Sequence, residues 1–200
     1  MRPKFLWSLI ACLLSFTTAC TTVYEVSSVP LAGLPEVSRY ELPAQLRIDE
    51  VLLAAKWERK MMGDTFRIPL GPAVASNAES LARDMFASVE VVSAAGPVAT
   101  GSVVLVPRIV SADQTLAATA FGDQTLTVVL EWSLTDDKGA PLWVDTIIGQ
   151  GTTNAGNLFT HKSNARERTD FMLRDLFTKS RAAISESPEL RRYAESHPTP

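Results

Sequence analysis

Residues 125–150 read TLTVVLEWSLTDDKGAPLWVDTIIGQ, and this stretch decides the fold. Leu126, Val128, Leu130, Trp132 and Leu134 recur with a period of two. Thr125, Thr127, Glu131 and Ser133 fill the alternate positions, with Val129 the exception. That is the pattern of a strand with one face in a core and one outside it. Asp136-Asp-Lys-Gly139 supplies turn residues, and Gly139 is free to take positive φ. Leu142–Gln150 returns as the partner strand, with Leu142, Val144, Thr146 and Ile148 read as its apolar face and Gly149 and Gly151 as its end.

Working outward, Ser102–Val110 is a further strand, whose Pro107 calls for an edge position or a bulge. Thr65–Leu70 alternates with Phe66, Ile68 and Leu70 on one face. Ala44–Ala55 begins as a strand and loses its alternation from Glu50 on, which suggests a bulge or burial on both faces. Gly71-Pro72 opens a helix, proline being favoured at the first helical position, and Val74, Ala78, Leu81, Ala82, Met85 and Phe86 mark its buried side. A short strand at Val89–Val92 follows. After a polar loop, Asn164–Glu186 is a second long helix with a stripe of Met172, Leu173, Leu176, Phe177, Ser180 and Ile184, stopped by Pro188. The expected fold is α+β, a mainly antiparallel sheet with two long helices packed on one face. Val128, Leu130 and Trp132 should meet Leu81, Phe86, Leu176 and Phe177 in the core.

The N-terminus has a different grammar. Arg2 and Lys4 precede an apolar run from Phe5 to Phe16, and Thr17-Thr18-Ala19 is a small-residue cleavage segment. This is the layout of a signal peptide, and the run is shorter than the roughly 20 residues of a spanning helix. The segment ending at Cys20 resembles the lipobox of bacterial lipoproteins, although Thr17 stands where leucine is usual. Leu9-Ile-Ala-Cys12 matches that box in letters, but cleavage there would leave a very short apolar region. Cys20 is therefore the expected lipidation site, and the mature chain then has no free thiol. By the same resemblance, Thr21 in place of aspartate implies sorting to the outer membrane, facing the periplasm. The organisation expected is a signal peptide at 1–19, a lipidated, proline-containing tether at 20–43, one domain at 44–187 and a charged tail at 188–200.

The formal charge of −3 falls to −5 once Arg2 and Lys4 are removed, so nothing points to nucleic acid. His161 and His197 have no neighbouring ligands in sequence, no G-x-S-x-G elbow is present, and Gly149-Gln-Gly151 lacks the third glycine of a dinucleotide loop. No enzyme activity, metal or cofactor is expected. Two connections are unusually apolar: one carries Trp57, Met61 and Met62, the other Leu116 and Phe121. These five residues either fold back on the core or form a partner-facing surface. Val129, Trp143 and Ile147, on the sheet's outer face, are a further candidate, with cover by the tether as the alternative.

The segment Leu81–Val89, a helix leading into a strand, and the turn Asp136–Gly139 followed by Leu142-Trp143 give the layout of a group of periplasm-facing accessory lipoproteins. The chain resembles that group, which includes the LPS-assembly lipoprotein LptE and the Pel polysaccharide export lipoprotein. The resemblance is one of architecture. It implies a non-catalytic outer-membrane lipoprotein that acts in cell-envelope assembly or export through contacts with another envelope protein or with itself. The alternative is a periplasmic carrier holding a lipid or glycolipid in an apolar cavity of several hundred cubic ångströms.

Overall fold

The computed structural model describes residues 21–30, 39–61, 64–93, 96–115, 122–156 and 160–197. In chain order the strands are β1 (Thr21–Val23), β2 (Tyr40–Arg47), β3 (Trp57–Met61), β4 (Asp64–Ile68), β5 (Phe86–Val92), β6 (Val103–Gln114), β7 (Asp123–Thr135) and β8 (Pro141–Asn154). The helices are α1 (Glu50–Leu53), α2 (Leu70–Met85), α3 (His161–Glu186) and α4 (Pro188–Ser196).

The fold is α+β, with two sheets rather than one. Five strands run in the order β5-β2-β6-β7-β8, and three in the order β1-β4-β3. Both sheets are mixed, which corrects the expectation of a mainly antiparallel one. β2 pairs parallel with both β5 and β6, whereas β6-β7-β8 is an antiparallel meander. The parallel half follows from α2, which carries the chain back across the sheet so that β5 can lie beside β2 in the same direction. β2 starts at Tyr40, within the span read as tether, and Pro43 sits beside a register shift where proline's missing N–H is tolerated. The Glu50–Leu53 segment is a helical turn, not a bulged strand. Asp49 caps it, its Oδ1 accepting from the Leu52 N–H at 2.7 Å. Pro107 of β6 lies beyond the end of the β2 pairing and just before a register shift at Ile109/Ser111, as its chemistry requires.

Both long helices cover one face of the five-stranded sheet. Leu126, Val128, Leu130, Trp132 and Leu134 are all buried there, in one core with Leu81, Phe86, Leu176 and Phe177. The Trp132 indole N–H donates to Ser180 Oγ at 2.9 Å, so the largest core side chain also has its polar atom satisfied. β8 presents the opposite face from the one expected. Ile147 is buried, while Val144 and Ile148 are 57% and 48% exposed. Gly149 and Gly151 do not end the strand but form the seat of α3. A Cβ on Gly151 would stand 1.9 Å from the Arg168 carbonyl oxygen, and one on Gly149 2.5 Å from Leu176 Cβ. Helix and strand backbones therefore touch where the side chain is missing.

The edge strand β8 is also tied to α3. Asp175 accepts from the Gln150 N–H at 2.9 Å, Lys179 donates to the Ile148 carbonyl at 3.0 Å, and the two side chains pair at 2.7 Å. Two of the edge's backbone groups are thus occupied. The span read as a charged tail contains α4, with Leu190 fully buried and Ser187 Oγ accepting from the Leu190 N–H. Ser187-Pro188-Glu189 was a legible start signal: a capping serine, then proline at the first helical position. Among the described residues no helix is long and apolar enough to cross a membrane.

Candidate functional site

Where the two sheets approach the N-terminal part of α3, a cavity of about 160 Å³ opens. Tyr24, immediately after β1, Trp57 of β3 and Phe66 of β4 give it an aromatic wall. Tyr24 stacks on Phe66 at 6.4 Å and meets the edge of His161, the first residue of α3, at 6.5 Å. Gln114 from the end of β6, Gln124 from the start of β7 and Arg168 from α3 supply the polar side.

Arg168 dominates the site's electrostatics. It is only 3% exposed. Its Nη1 donates to Thr153 Oγ1 at 3.1 Å, and its Nε has no partner. No carboxylate among the described residues pairs with it. Arg181, further along the same helix and also buried, is paired with Asp84 at 2.8 Å. Burial pushes the Arg168 pKa down from its usual value, with the nearby Tyr24 phenol opposing; burial also pushes Tyr24 up. A guanidinium stays charged regardless. Gln114 is buried as well. Its amide donates to Gln124 Oε1 at 3.1 Å, while its own Oε1 has no partner.

A wider groove of about 420 Å³ adjoins the cavity at Tyr24. Val23 and Glu25 line one side, and Lys162, Ser163 and Arg166 of α3 the other. Two cations face one carboxylate there, beside the positive end of a 26-residue helix.

The partner-facing expectation fails at Trp57. It lies in strand β3, not in a loop, and is 7% exposed within the main core. Burial of so large an apolar surface in the core outweighs exposure. Met61 closes β3 through its backbone pairing with Asp64. Cys20, Met62, Leu116 and Phe121 lie outside the described residues. Of the outer-face trio, Ile147 is buried on the helix side; Trp143, paired with Leu134, shares that side; Val129, paired with Ile148, is on the outer face. Asp136 and Asp137 serve the hairpin: Asp136 Oδ1 accepts from the Lys138 and Ala140 N–H groups, and Asp137 Oδ2 from that of Gly101. Sequence reading passed over Arg168 and Gln114. A lone arginine on a polar helix and a strand-end glutamine carry no signal until the fold buries them.

No protein-family model and no curated protein sequence matches this chain. Solved structures offer remote likenesses. A Xanthomonas campestris protein of the DUF330 family is 10% identical, with a TM-score of 0.42 over 82% of this chain and 99% of its own. A minor lipoprotein of Acinetobacter baumannii is 9% identical, with a TM-score of 0.42 over 78% of this chain and 96% of its own. PelC of Paraburkholderia phytofirmans, solved as a dodecamer, is 16% identical, with a TM-score of 0.33 over 75% of this chain and 92% of its own.

Proposed function

We propose that the chain is a non-catalytic lipoprotein, anchored through Cys20 in the outer membrane and facing the periplasm. It acts in envelope assembly or export by protein–protein contact. The observation that carries the contact reading is the face of β6, β7 and β8 that no helix among the described residues covers. All the long helices lie on the other side of that sheet. On the open side Val110, Val144 and Ile148 are 49%, 57% and 48% exposed, and the Arg108–Glu131 pair lies across β6 and β7. Exposed β-branched side chains on one sheet face form an apolar surface suited to another protein. The face is favoured over the edge because Asp175 and Lys179 occupy edge groups of β8. Carriage of a whole lipid is the weaker reading. The aromatic-walled cavity of about 160 Å³ is smaller than the roughly 300–1,000 Å³ of sites that enclose drug-sized ligands, and the adjoining groove of about 420 Å³ is lined mainly by charged and polar side chains (Glu25, Lys162, Ser163 and Arg166) rather than the apolar ones a lipid tail needs.

The test compares wild type, Cys20→Ser and Ile148→Lys in cells. Cys20→Ser should move the protein from the membrane to the soluble periplasmic fraction, since acyl chains supply the anchor. Ile148→Lys should stay membrane-bound with an unchanged unfolding midpoint while losing its crosslinked complex, whether with itself or another envelope protein. Membrane retention of Cys20→Ser would overturn the anchor. Crosslinking unchanged in Ile148→Lys would overturn the contact face.

A further inference from the structure

We propose that the cavity around Arg168 binds the glycerophosphate headgroup of a membrane phospholipid.

The first ground is a buried guanidinium with no carboxylate partner among the described residues. An unpaired charge taken out of water costs several kcal/mol, and the same helix shows the ordinary remedy at Arg181, which is paired with Asp84. Arg168 is more deeply buried and lines the cavity; its Nε, like that of Arg181, has no partner, but no carboxylate among the described residues answers its charge. A phosphate or carboxylate oxygen is the acceptor a guanidinium matches best.

The second ground selects among anions. Gln114, which lines the same cavity, has a buried Oε1 without a donor. A bare phosphate satisfies Arg168 and leaves Gln114 unsatisfied. A headgroup bearing both an anionic oxygen and a hydroxyl satisfies both, the hydroxyl donating to Gln114 Oε1. Glycerol phosphate has both, and its carbon chain can rest on Tyr24, Trp57 and Phe66. The cavity's size suits a headgroup and excludes the acyl chains, which would remain in the bilayer.

The third ground is position, and it rests on the anchor at Cys20 proposed above. Thr21, the next residue, is already held in β1 against Thr65 of β4. Val23 lines the outer groove. Cys20 is three residues from Val23, so their Cα atoms are at most about 11 Å apart. An anchor there holds the groove at the membrane surface, with Lys162 and Arg166 beside the headgroups, where basic side chains are drawn to anionic lipid.

The Cys20→Ser chain, followed by NMR at the Arg168 Nε–H, tests the ligand independently of the anchor. Glycerol 3-phosphate should shift that resonance saturably, with inorganic phosphate binding about tenfold more weakly and glycerol not at all. Arg168→Met should abolish the effect of glycerol 3-phosphate on the unfolding midpoint while raising the ligand-free midpoint, because it removes an uncompensated buried charge. A merely structural arginine would lower that midpoint. Gln114→Leu should weaken glycerol 3-phosphate and leave inorganic phosphate unchanged. For the source, vesicles of phosphatidylcholine with added phosphatidylglycerol should retain Cys20→Ser better than the Cys20→Ser/Arg168→Met double variant. No shift with glycerol 3-phosphate, or equal shifts with inorganic phosphate, overturns the site. Glycerol 3-phosphate binding without Arg168-dependent vesicle retention overturns the lipid source in favour of a free phosphate ester. The anchor itself is judged separately by fractionation of Cys20→Ser in cells.

Discussion

Gly151→Ala adds one methyl group where α3 rests on β8. The new Cβ would lie 1.9 Å from the Arg168 carbonyl oxygen and 2.5 Å from the Met172 amide nitrogen, both backbone atoms. Ordinary contact begins at 3.4 Å, so the helix must retreat by about 1.5 Å or tilt by as much locally. Backbone cannot swing aside as a flexible side chain can. A retreat of that size separates Leu173, Leu176 and Phe177 from β7, and a gap of even 0.5–1 Å forfeits about a quarter to a half of each dispersion contact. Overpacking typically costs about 1–3 kcal/mol, and more where backbone is displaced. Loss of glycine's freedom in the unfolded chain offsets only about 0.4–1 kcal/mol. The expected net loss is about 3 kcal/mol, read as a fall in the urea midpoint with an unchanged slope. Gly149→Ala should cost less, since its nearest obstacles, Leu176 Cβ at 2.5 Å and backbone atoms at 2.9 Å, demand a smaller retreat of the helix. Gly139→Ala, with open space around it and a φ of +82°, should cost only the left-handed penalty of about 1–2 kcal/mol. A Gly151→Ala protein within about 0.5 kcal/mol of wild type would refute the seating of α3 on these glycines.

Two further outcomes test the core and its polar groups. Ser180→Ala removes the acceptor of the Trp132 indole N–H and should destabilise by about 1–3 kcal/mol, the cost of an orphaned buried donor. An unchanged calorimetric midpoint would show that bond to be energetically idle. Tyr24, Tyr40 and Tyr193 all have pKa values raised mainly by burial, and the Tyr40 hydroxyl donates to the Ile184 carbonyl at 3.1 Å. A phenol with a raised folded pKa holds its proton more tightly folded than unfolded. Stability is therefore intact below the ordinary value of 10.0 and declines as pH rises above it. Denaturation with phenolate absorbance should show this alkaline loss, reduced in Tyr40→Phe; stability flat through that range would contradict the burial assigned to these rings.

The sequence by itself determined the β7–β8 hairpin, the two long helices and the inward face of β7. Each is a local periodicity long enough to exclude the alternatives: five apolar residues at spacing two from Leu126 to Leu134, and a buried stripe from Met172 to Ile184. It also contained a start signal for α4 at Ser187-Pro188. Only the tertiary structure decided the rest. The face of β8 was ambiguous in the letters, because Val144, Ile148 and Trp143, Ile147 are apolar on both sides. The choice fell to Gly149 and Gly151, whose missing side chains admit the helix. Parallel pairing of β2 depends on where α2 returns the chain, which no strand sequence encodes. Trp57, beside charged neighbours, reads as either partner-facing or folded back until the tertiary structure buries it. Arg168 is one basic residue among several on α3. It becomes distinctive only when folding takes its guanidinium out of water and, among the described residues, brings no carboxylate to meet it, a relation among β3, β4, β6, β7 and α3 that no single stretch of chain contains.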